Sequence, residues 1–448
     1  MPRQRMALTA TWLVVLVVGV ATYVQMRSQP FFYDASDYVA AAQGISDNGV
    51  LSRWSHSDIR TYGYPLFLTA AIKIANWLNV GLSTGVFLLQ WPLYVGSAWL
   101  AARTLYRSDR IRLAAFALLA ANPLLVVYTA DALTESLSVS CLLLAVAAMG
   151  RSFRTDSPRS MILLLAAGGA ASSFAMVVRP GNVLVPACYA LGAVTLLLRR
   201  HDRRVLGTAL AATVVVSAAL LAPLVPQVVI NHRNYHKISA IPVYDLTGLQ
   251  TRAGLQYIRY ATNVSTECGH NSLFFLNPHV PPLDVTTTEA VRYYTLGWPE
   301  GPETAALHVF SAFDPRPFLT YQLDFGAGYE RWLQAFTVAL LFLAGLGTRT
   351  AWEKLRGADR RFRLDAAFLG LVTAMSLGIV AMSAAEYRYG VIPIATVSLL
   401  AALGLARLRR PTWWSGCAAA ACYFAALLLW FALSDLVLAT STTWQQCR

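Results

Sequence analysis

Long apolar segments recur along the whole sequence and limit the possible fold more than any other feature. A helix needs about 20 apolar residues to cross about 30 Å of hydrocarbon, and the short alternating segments of a membrane β-barrel do not occur. Because no small-residue cleavage site follows residues 7–24, we expect a retained first span rather than a signal peptide. The predicted fold class is an all-α polytopic membrane protein with about 11 transmembrane helices, at residues 7–26, 83–102, 113–128, 134–150, 161–178, 182–198, 206–229, 329–347, 366–383, 390–406 and 414–437.

A further segment, residues 62–80, is moderately apolar but contains Lys73, Asn76 and Asn79. Basic residues near the ends of spans concentrate on the cytoplasmic side of a membrane protein. If this segment lies on the membrane surface without crossing, all six basic clusters of the chain fall on the cytoplasmic side. If it crosses, every later cluster moves to the other side. We therefore predict an interfacial helix here, with the N-terminus inside the cell and the C-terminus outside.

The net charge of +13 follows from this topology. The short cytoplasmic segments contain 22 of the 36 Lys and Arg residues but only 6 of the 23 Asp and Glu residues. A protein that binds nucleic acid collects its basic residues on one soluble surface instead, so nucleic acid is not a predicted partner. The cytoplasmic loops are too short for a catalytic domain, which leaves the extracytoplasmic side for chemistry.

Three regions follow from the same topology. Residues 1–229 form an N-terminal transmembrane module, whose first outer loop at 27–82 contains the interfacial helix. Residues 230–328 form an extracytoplasmic loop or lid of about 100 residues, which is far longer than a simple connection. Residues 329–448 form the C-terminal transmembrane helices and an outer tail.

Two carboxylates follow the first span in the sequence FFYDASDYVAAA, residues 31–42. Asp34 and Asp37 are three residues apart at the start of a predicted helix, so they share one helix face. Either acid can cap the helix, because free backbone N–H groups and the helix dipole favour negative charge there. The alternative is chemical: at the outer membrane surface a carboxylate can act as a general base or bind a metal.

An acid and an arginine mark two more of the predicted outer turns. Glu135 follows Thr134 where a span begins. Two explanations of this acid stay open: helix capping by this pair, and positioning of a substrate. Arg179 stands before Pro180 at the end of another span. It either extends to lipid headgroups or binds a phosphate at that depth.

Two further groups complete the polar residues of the predicted outer side. Glu386, Tyr387 and Arg388 form either an ion pair within an aromatic belt or a contact to phosphate or sugar. The first outer loop adds His56, Arg60, Tyr62 and Tyr64. Aromatic side chains beside carboxylates are typical of sugar-binding sites.

The order of these motifs resembles the GT-C membrane glycosyltransferases, in particular the protein O-mannosyltransferases and the bacterial aminoarabinose transferases of lipid A. The resemblance covers about residues 35–200 in order and spacing, and the region after residue 380 more loosely. Members of this family take a sugar from a polyprenyl-phosphate donor on the outer leaflet, and their first outer loop carries the catalytic acid. The matching residues are the acid after the first span, Tyr64-Pro65, Glu135, Arg179-Pro180 and Arg388-Tyr389.

The resemblance implies that Asp34 is the catalytic base. Ala35 stands where the family often has Glu, so Asp37 or Glu135 is the candidate for a second catalytic acid. An arginine neutralises the phosphate leaving group, with Arg60, Arg179 and Arg388 as candidates. The remaining predicted substrate-binding residues are His56, Tyr62, Tyr64, Glu386 and Tyr387.

The predicted function is transfer of a sugar from a polyprenyl-phosphate donor to a hydroxyl of a lipid, glycan or protein, with inversion, outside a bacterial inner membrane. The lipid phosphate is already an activated leaving group, so no cofactor is required and no metal ligand is predicted. A divalent cation, Mg²⁺ or Mn²⁺, is compatible with this scheme. Two alternatives stay open: a glycan ligase that uses a lipid pyrophosphate donor, and a transporter or flippase without chemistry.

Two of the six cysteines, Cys268 and Cys447, fall outside the predicted spans and on the same outer side. In an oxidising compartment they can form a disulfide that ties the long loop to the C-terminal tail. The other four cysteines fall in apolar spans, where thiols usually pack as inert groups.

Overall fold

The computed structural model describes residues 2–28, 31, 33–200, 206–263, 271–279, 285–316, 327–356, 360–383, 386–408 and 413–445. In chain order its α-helices are α1 (Pro2–Met26), α2 (Asp34–Asn48), α3 (Gly63–Leu78), α4 (Leu82–Leu105), α5 (Asp109–Ala120), α6 (Pro123–Val126), α7 (Thr134–Ser152), α8 (Pro158–Val178), α9 (Leu184–Arg200), α10 (Leu206–Leu221), α11 (Val225–Tyr235), α12 (Leu246–Gln256), α13 (Thr287–Leu296), α14 (Glu300–Phe313), α15 (Ala327–Arg356), α16 (Arg360–Ala381), α17 (Val391–Arg407) and α18 (Trp413–Ala439). Its strands are β1 (Tyr257–Asn263), β2 (Asn271–Leu276) and β3 (Ser441–Gln445).

The predicted spans coincide with helices, and the all-α polytopic membrane fold is confirmed. Nine helical segments of the described residues are long and apolar enough to cross a membrane: Gln4–Met26, Leu82–Leu105, Thr134–Ser152, Pro158–Val178, Pro180–Leu197, Ala212–Tyr235, Gly328–Glu353, Tyr387–Arg407 and Gly416–Ala439. The two other predicted spans correspond to a bent helix pair, which makes a tenth if it is counted as one span, and to the shorter apolar helix Ala366–Ala381. The helix α3, at the predicted interfacial segment, is not among the nine.

The bent pair consists of Asp109–Ala120 and Pro123–Thr129, which meet at an angle of 47°. Asn122 caps the second helix, because its side chain accepts a hydrogen bond of 3.0 Å from the backbone N–H of Leu124. Pro123 occupies the first helical position, where its missing N–H costs nothing. A proline cannot continue the preceding helix, so the break follows from the local sequence.

The chain divides into two compact units. The first contains Met1–Ser28, Tyr33–Tyr244 and Ala351–Thr373, and the second contains Gln29–Phe32, Asp245–Thr350 and Ala374–Arg448. The first unit extends to Tyr244, beyond residue 229, where the predicted N-terminal module ends. Hydrogen bonds from Asn231 in α11 fix the segment that follows this helix. The amide Nδ2 of Asn231 donates to the carbonyl oxygens of Ser239 at 2.8 Å and of Ile241 at 2.7 Å.

The helix α7 lies at the centre of the first unit, with 83% of its span buried against 11% for α1. Its serine- and alanine-rich sequence lets neighbouring helices approach closely. Close approach is also needed at Gly63, where a Cβ atom would lie 2.4 Å from the carbonyl oxygen of Val177 at the end of α8. The first turn of α3 is thereby fixed against the end of α8.

In the second unit, β1, β2 and β3 form an antiparallel sheet in that order. Tyr257 of β1 pairs with Leu276 of β2, and Asn271 at the start of β2 pairs with Gln445 of β3. The C-terminal strand β3 therefore adds a third strand to β1 and β2, which both belong to the predicted extracytoplasmic loop.

A buried carboxylate fixes the neighbourhood of this sheet. Asp314 accepts hydrogen bonds from Gln334 Nε2 at 2.7 Å and from Ser434 Oγ at 2.8 Å. Arg259 of β1 donates to the carbonyl oxygens of Asp314 at 2.9 Å and of Arg316 at 2.6 Å. Nη1 of Arg259 also lies 3.8 Å from Oδ2 of Asp314, so each of the two buried charges faces an opposite charge, which burial in the protein interior requires.

Candidate functional site

The two acids of the first outer loop lie in the first turn of α2 and face one arginine. Asp34 forms an ion pair and a hydrogen bond with Nη2 of Arg60, and Oδ2 of Asp37 lies 3.7 Å from the same nitrogen. Tyr33, and neither acid, is the N-cap residue, and it makes no side-chain capping hydrogen bond. The carboxylates therefore pair with the guanidinium group of Arg60, an interaction that the capping interpretation did not predict.

The loop before α3 brings Arg60 to this position. His56 has a positive φ of 58°, and its carbonyl oxygen accepts hydrogen bonds from the backbone N–H groups of Ile59 at 3.1 Å and Arg60 at 2.8 Å. The guanidinium carbon of Arg60 lies 4.9 Å from the ring centre of Tyr38, one helical turn after Asp34. Arg60 is thus fixed by two carboxylates and an aromatic face, as a planar guanidinium group allows.

Tyr64 connects this group to a second, deeper group of polar residues. Its ring is buried and meets the ring of Tyr38 edge-on at 5.0 Å, and its hydroxyl lies 3.5 Å from Oε1 of Gln90 in α4. Burial, followed by the negative charges of Asp131 and Glu135, raises the pKa of Tyr64 well above its ordinary value. The hydroxyl therefore stays protonated and remains a hydrogen-bond donor.

Glu135, in the first turn of α7, is only 1% exposed and is paired with Arg179 at the end of α8. Their side-chain atoms Oε1 and Nη1 lie 2.7 Å apart. The prediction that Thr134 caps this helix is wrong: the helix begins at Thr134 itself, and the N-cap residue is Leu133. The acid is therefore explained by a long-range ion pair rather than by a local capping motif.

The turn after α8 fixes Arg179 in turn. Nδ2 of Asn182 lies 2.5 Å from Oγ of Ser138 and 3.1 Å from the carbonyl oxygen of Ala175. Both contacts link the turn to the helices that carry Glu135 and Arg179. Tyr64 links the residues around Arg60 with those around Arg179 into one polar cluster, which contains two arginines and four acids: Asp34, Asp37, Asp131, Glu135, Arg60 and Arg179.

Two of the predicted binding residues support the loop instead of pointing at this cluster. The backbone N–H of Tyr62 donates to Oε1 of Gln227 at 3.0 Å, and its hydroxyl donates to the carbonyl oxygen of Pro223 at 2.7 Å. Burial raises the pKa of Tyr62 to about 12. The ring of His56 is exposed, and its Nδ1 lies 2.8 Å from Oγ of Ser55.

The three predicted residues of the late turn belong to the second unit. Glu386 and Arg388 form an ion pair, and Tyr387 between them is buried. The guanidinium carbon of Arg388 lies 5.7 Å from the ring centre of Tyr389. The hydroxyl of Tyr389 accepts a hydrogen bond of 2.8 Å from Nε2 of Gln250.

Among the residues that the structure describes, no three His, Cys, Asp or Glu side chains converge to hold a metal ion. At the acids of α2, the guanidinium group of Arg60 contacts both carboxylates, so the positive charge there belongs to a side chain.

Two residues that contact the cluster, Tyr38 and Gln90, were not predicted from the sequence. Tyr38 is four residues after Asp34 and therefore on the same helix face. Gln90 is a polar residue inside an apolar span, which is by itself a functional signal. Its Nε2 donates to the carbonyl oxygen of Asp131 at 2.7 Å.

No family model and no curated protein matches this chain. Solved structures of ArnT from Cupriavidus metallidurans are similar to it. The structure bound to undecaprenyl phosphate matches with a TM-score of 0.50 and 16% sequence identity. The match covers 92% of this chain and 62% of the ArnT chain. The apo structure has a TM-score of 0.39 and 15% identity, over 90% of this chain and 78% of that protein. The chain therefore has the fold of the ArnT structure that contains undecaprenyl phosphate, and the resemblance seen in its motifs is confirmed at the level of the fold.

Proposed function

We propose that this protein is a membrane glycosyltransferase that transfers a sugar from a polyprenyl-phosphate donor to an acceptor hydroxyl on the extracytoplasmic side. The observation that carries the proposal is the pair Asp34 and Asp37 around Arg60, directly after the first span. A carboxylate and an arginine at the membrane surface are the groups that this reaction needs. The fold is similar to that of a protein whose structure contains undecaprenyl phosphate.

In the proposed reaction, Asp34 takes the proton of the acceptor hydroxyl while the hydroxyl oxygen attacks the anomeric carbon of the donor. The bond between that carbon and the phosphate oxygen breaks, and the polyprenyl phosphate leaves with the electron pair. Attack opposite the leaving group inverts the anomeric centre. A phosphate leaves without being protonated, so one base is enough, whereas an inverting hydrolase uses two carboxylates.

The two arginines of the cluster are the proposed phosphate ligands. Arg60 and Arg179 are 14% and 18% exposed, so each is partly accessible while it is paired with an acid. A guanidinium group can bind two phosphate oxygens at once and stabilises the charge that develops on the leaving group. Glu386, Tyr387 and Arg388 remain candidates for contacts to phosphate or sugar.

Asp37 and Glu135 have supporting roles in this scheme. Asp37 lies next to Arg60 and keeps the guanidinium group compensated when Asp34 receives the proton. Glu135 is almost fully buried, so it positions Arg179 and does not reach a substrate. The ring of Tyr38 lies against the guanidinium group of Arg60, and Tyr64 packs edge-on against Tyr38.

The test uses the purified protein in lipid nanodiscs with a fluorescent polyprenyl-monophosphate sugar and extracted membrane acceptors. We expect Asp34→Asn to lower transfer by at least about 10²-fold, because the general base is lost, while donor binding persists. Asp47→Asn removes an exposed acid from the same helix and serves as the matched control. Normal turnover by the Asp34→Asn variant would contradict the assignment of the base.

Two further arms of the same assay separate the alternatives. Transfer from a pyrophosphate-linked glycan, without transfer from the monophosphate, would favour the ligase. Movement of the labelled lipid across a vesicle membrane without a glycosylated product would favour the transporter.

A further inference from the structure

A cavity of about 160 Å³ lies between the first turns of α1, the last turns of α4 and the first turns of α5. Its polar lining consists of Gln4, Arg103, Asp109 and Arg112, and its apolar lining of Leu8, Trp99 and Leu113. The helix α1 runs from this cavity towards Asp34, so the cavity and the candidate active site lie at opposite ends of that helix. None of the residues used in the proposed reaction lines it.

The cavity has an excess of positive charge. Asp109 is hydrogen-bonded by Gln4 and forms an ion pair with Arg112, so its negative charge is compensated from within the lining. Nε of Arg112 is buried and has no hydrogen-bond partner. In the described part of the chain, Arg103 has neither a hydrogen bond nor an ion pair. A buried donor such as Nε of Arg112 is costly unless it binds an acceptor, and here it adjoins a cavity that the exposed side chain of Arg103 also lines.

Aromatic rings form the apolar wall next to these arginines. The guanidinium carbon of Arg112 lies 5.8 Å from the ring centre of Trp99. Trp99 in turn packs against Trp12 of α1 at 6.0 Å and Phe116 of α5 at 5.2 Å. Tryptophan beside arginine is typical of the level where lipid headgroups meet hydrocarbon.

We propose that this cavity binds the phosphate group of an anionic phospholipid, in the leaflet that the distribution of basic residues predicts to be cytoplasmic. Arg103 and Nε of Arg112 donate to the phosphate oxygens. The acyl chains lie beside the cavity on apolar surface of α1 and α4, where Trp12, one turn after Leu8, and Leu100, next to Trp99, are each 39% exposed. Basic pockets between transmembrane helices on this side of a membrane suit such headgroups. The proposal is independent of the transferase activity.

The proposal is tested on the full-length protein by native mass spectrometry during titration with phosphatidylglycerol, with phosphatidylcholine as the zwitterionic comparison. We expect Arg103→Gln to weaken the tightest phosphatidylglycerol site about tenfold, which corresponds to the loss of one charged hydrogen bond. Arg110→Gln is the matched control, because Arg110 is exposed on the same stretch of chain but does not line the cavity.

A second variant separates the cavity from the general attraction of a basic surface. Leu113→Trp keeps every charge and fills the space, so it should also weaken the site. If Arg103→Gln and Arg110→Gln weaken binding equally, or neither does, the proposal is overturned. Displacement of the lipid by millimolar inorganic phosphate would show a site for free phosphate and would overturn the lipid assignment. Melting temperatures verify folding, and the two arginine variants decide the outcome if Leu113→Trp does not fold.

Discussion

At the scale of single residues, the decisive feature is that each arginine of the cluster is paired with an acid from a distant part of the sequence. Arg60 contacts acids of the preceding helix, and Arg179 contacts Glu135, 44 residues earlier. Hydropathy and spacing identified these arginines and acids one by one at the predicted outer turns. They could not identify the pairs, because the partner of a buried charge is chosen by how the helices pack.

The ion pair between Glu135 and Arg179 should stabilise the fold measurably. In Arg179→Met the buried carboxylate loses its cation, and we expect a loss of about 3 kcal/mol in the free energy of unfolding. This value is at the low end for a broken buried pair, because Arg179 is itself partly exposed. Equilibrium unfolding of the purified protein in detergent measures it.

The matched control for this substitution is Arg159→Met, an exposed arginine in the first turn of the same helix. A surface substitution of this kind usually changes stability by no more than about 0.5 kcal/mol. Equal stability of the two variants would show that the pair contributes nothing. Adding Glu135→Leu to Arg179→Met should restore part of the loss, because the uncompensated buried charge is then gone.

At the scale of elements, the unexpected feature is the strand β3, which comes from the C-terminal tail and pairs with the hairpin of the long loop. The sequence indicated a folded segment at 230–328 because so long a connection is unusual. It gave no sign of this sheet, since the pairing of strands so far apart in the chain leaves no local pattern. The boundaries 1–229, 230–328 and 329–448 remain predictions about topology.

The predicted disulfide between Cys268 and Cys447 belongs to this scale. Both cysteines lie outside the described residues, and the disulfide stays a prediction. The pairing of Asn271 with Gln445 is the nearest described contact to them, three and two residues away along the chain. We expect mass spectrometry of unreduced, alkylated protein to detect one linked peptide pair that contains both cysteines.

The other cysteines provide the internal control. Cys141, Cys188, Cys417 and Cys422 are free thiols in the structure and should be recovered as alkylated peptides only. Recovery of Cys268 and Cys447 as alkylated peptides without a reducing agent would contradict the disulfide.

At the scale of the whole molecule, the chain is a multi-pass membrane protein, and the distribution of its basic residues predicts its orientation. The arrangement depends on α3, since a crossing there would reverse the side of everything after it. We expect Asp47→Cys and Gly81→Cys, on either side of α3, to react with a membrane-impermeant maleimide from the same, extracytoplasmic side. Asp156→Cys, between α7 and α8, should react only after the membrane is opened.

These positions suit labelling because Asp47 and Asp156 are exposed, and a Cβ at Gly81 meets no atom within 4 Å. Labelling of positions 47 and 81 from opposite sides would mean that α3 crosses the membrane. The predicted orientation, and with it the extracytoplasmic site, would then be wrong.

By itself, the sequence determined that the chain is an α-helical membrane protein, where its spans lie and which turns carry acids and arginines. Span length, hydropathy and charge bias are properties of consecutive residues, so they can be read without a structure. Only the tertiary structure decided that Asp34 and Asp37 share Arg60, that Glu135 pairs with Arg179 instead of serving a capping motif, and that Tyr38 and Gln90 join them. Those contacts depend on which helix faces meet, and helix packing brings together residues that are far apart in the chain.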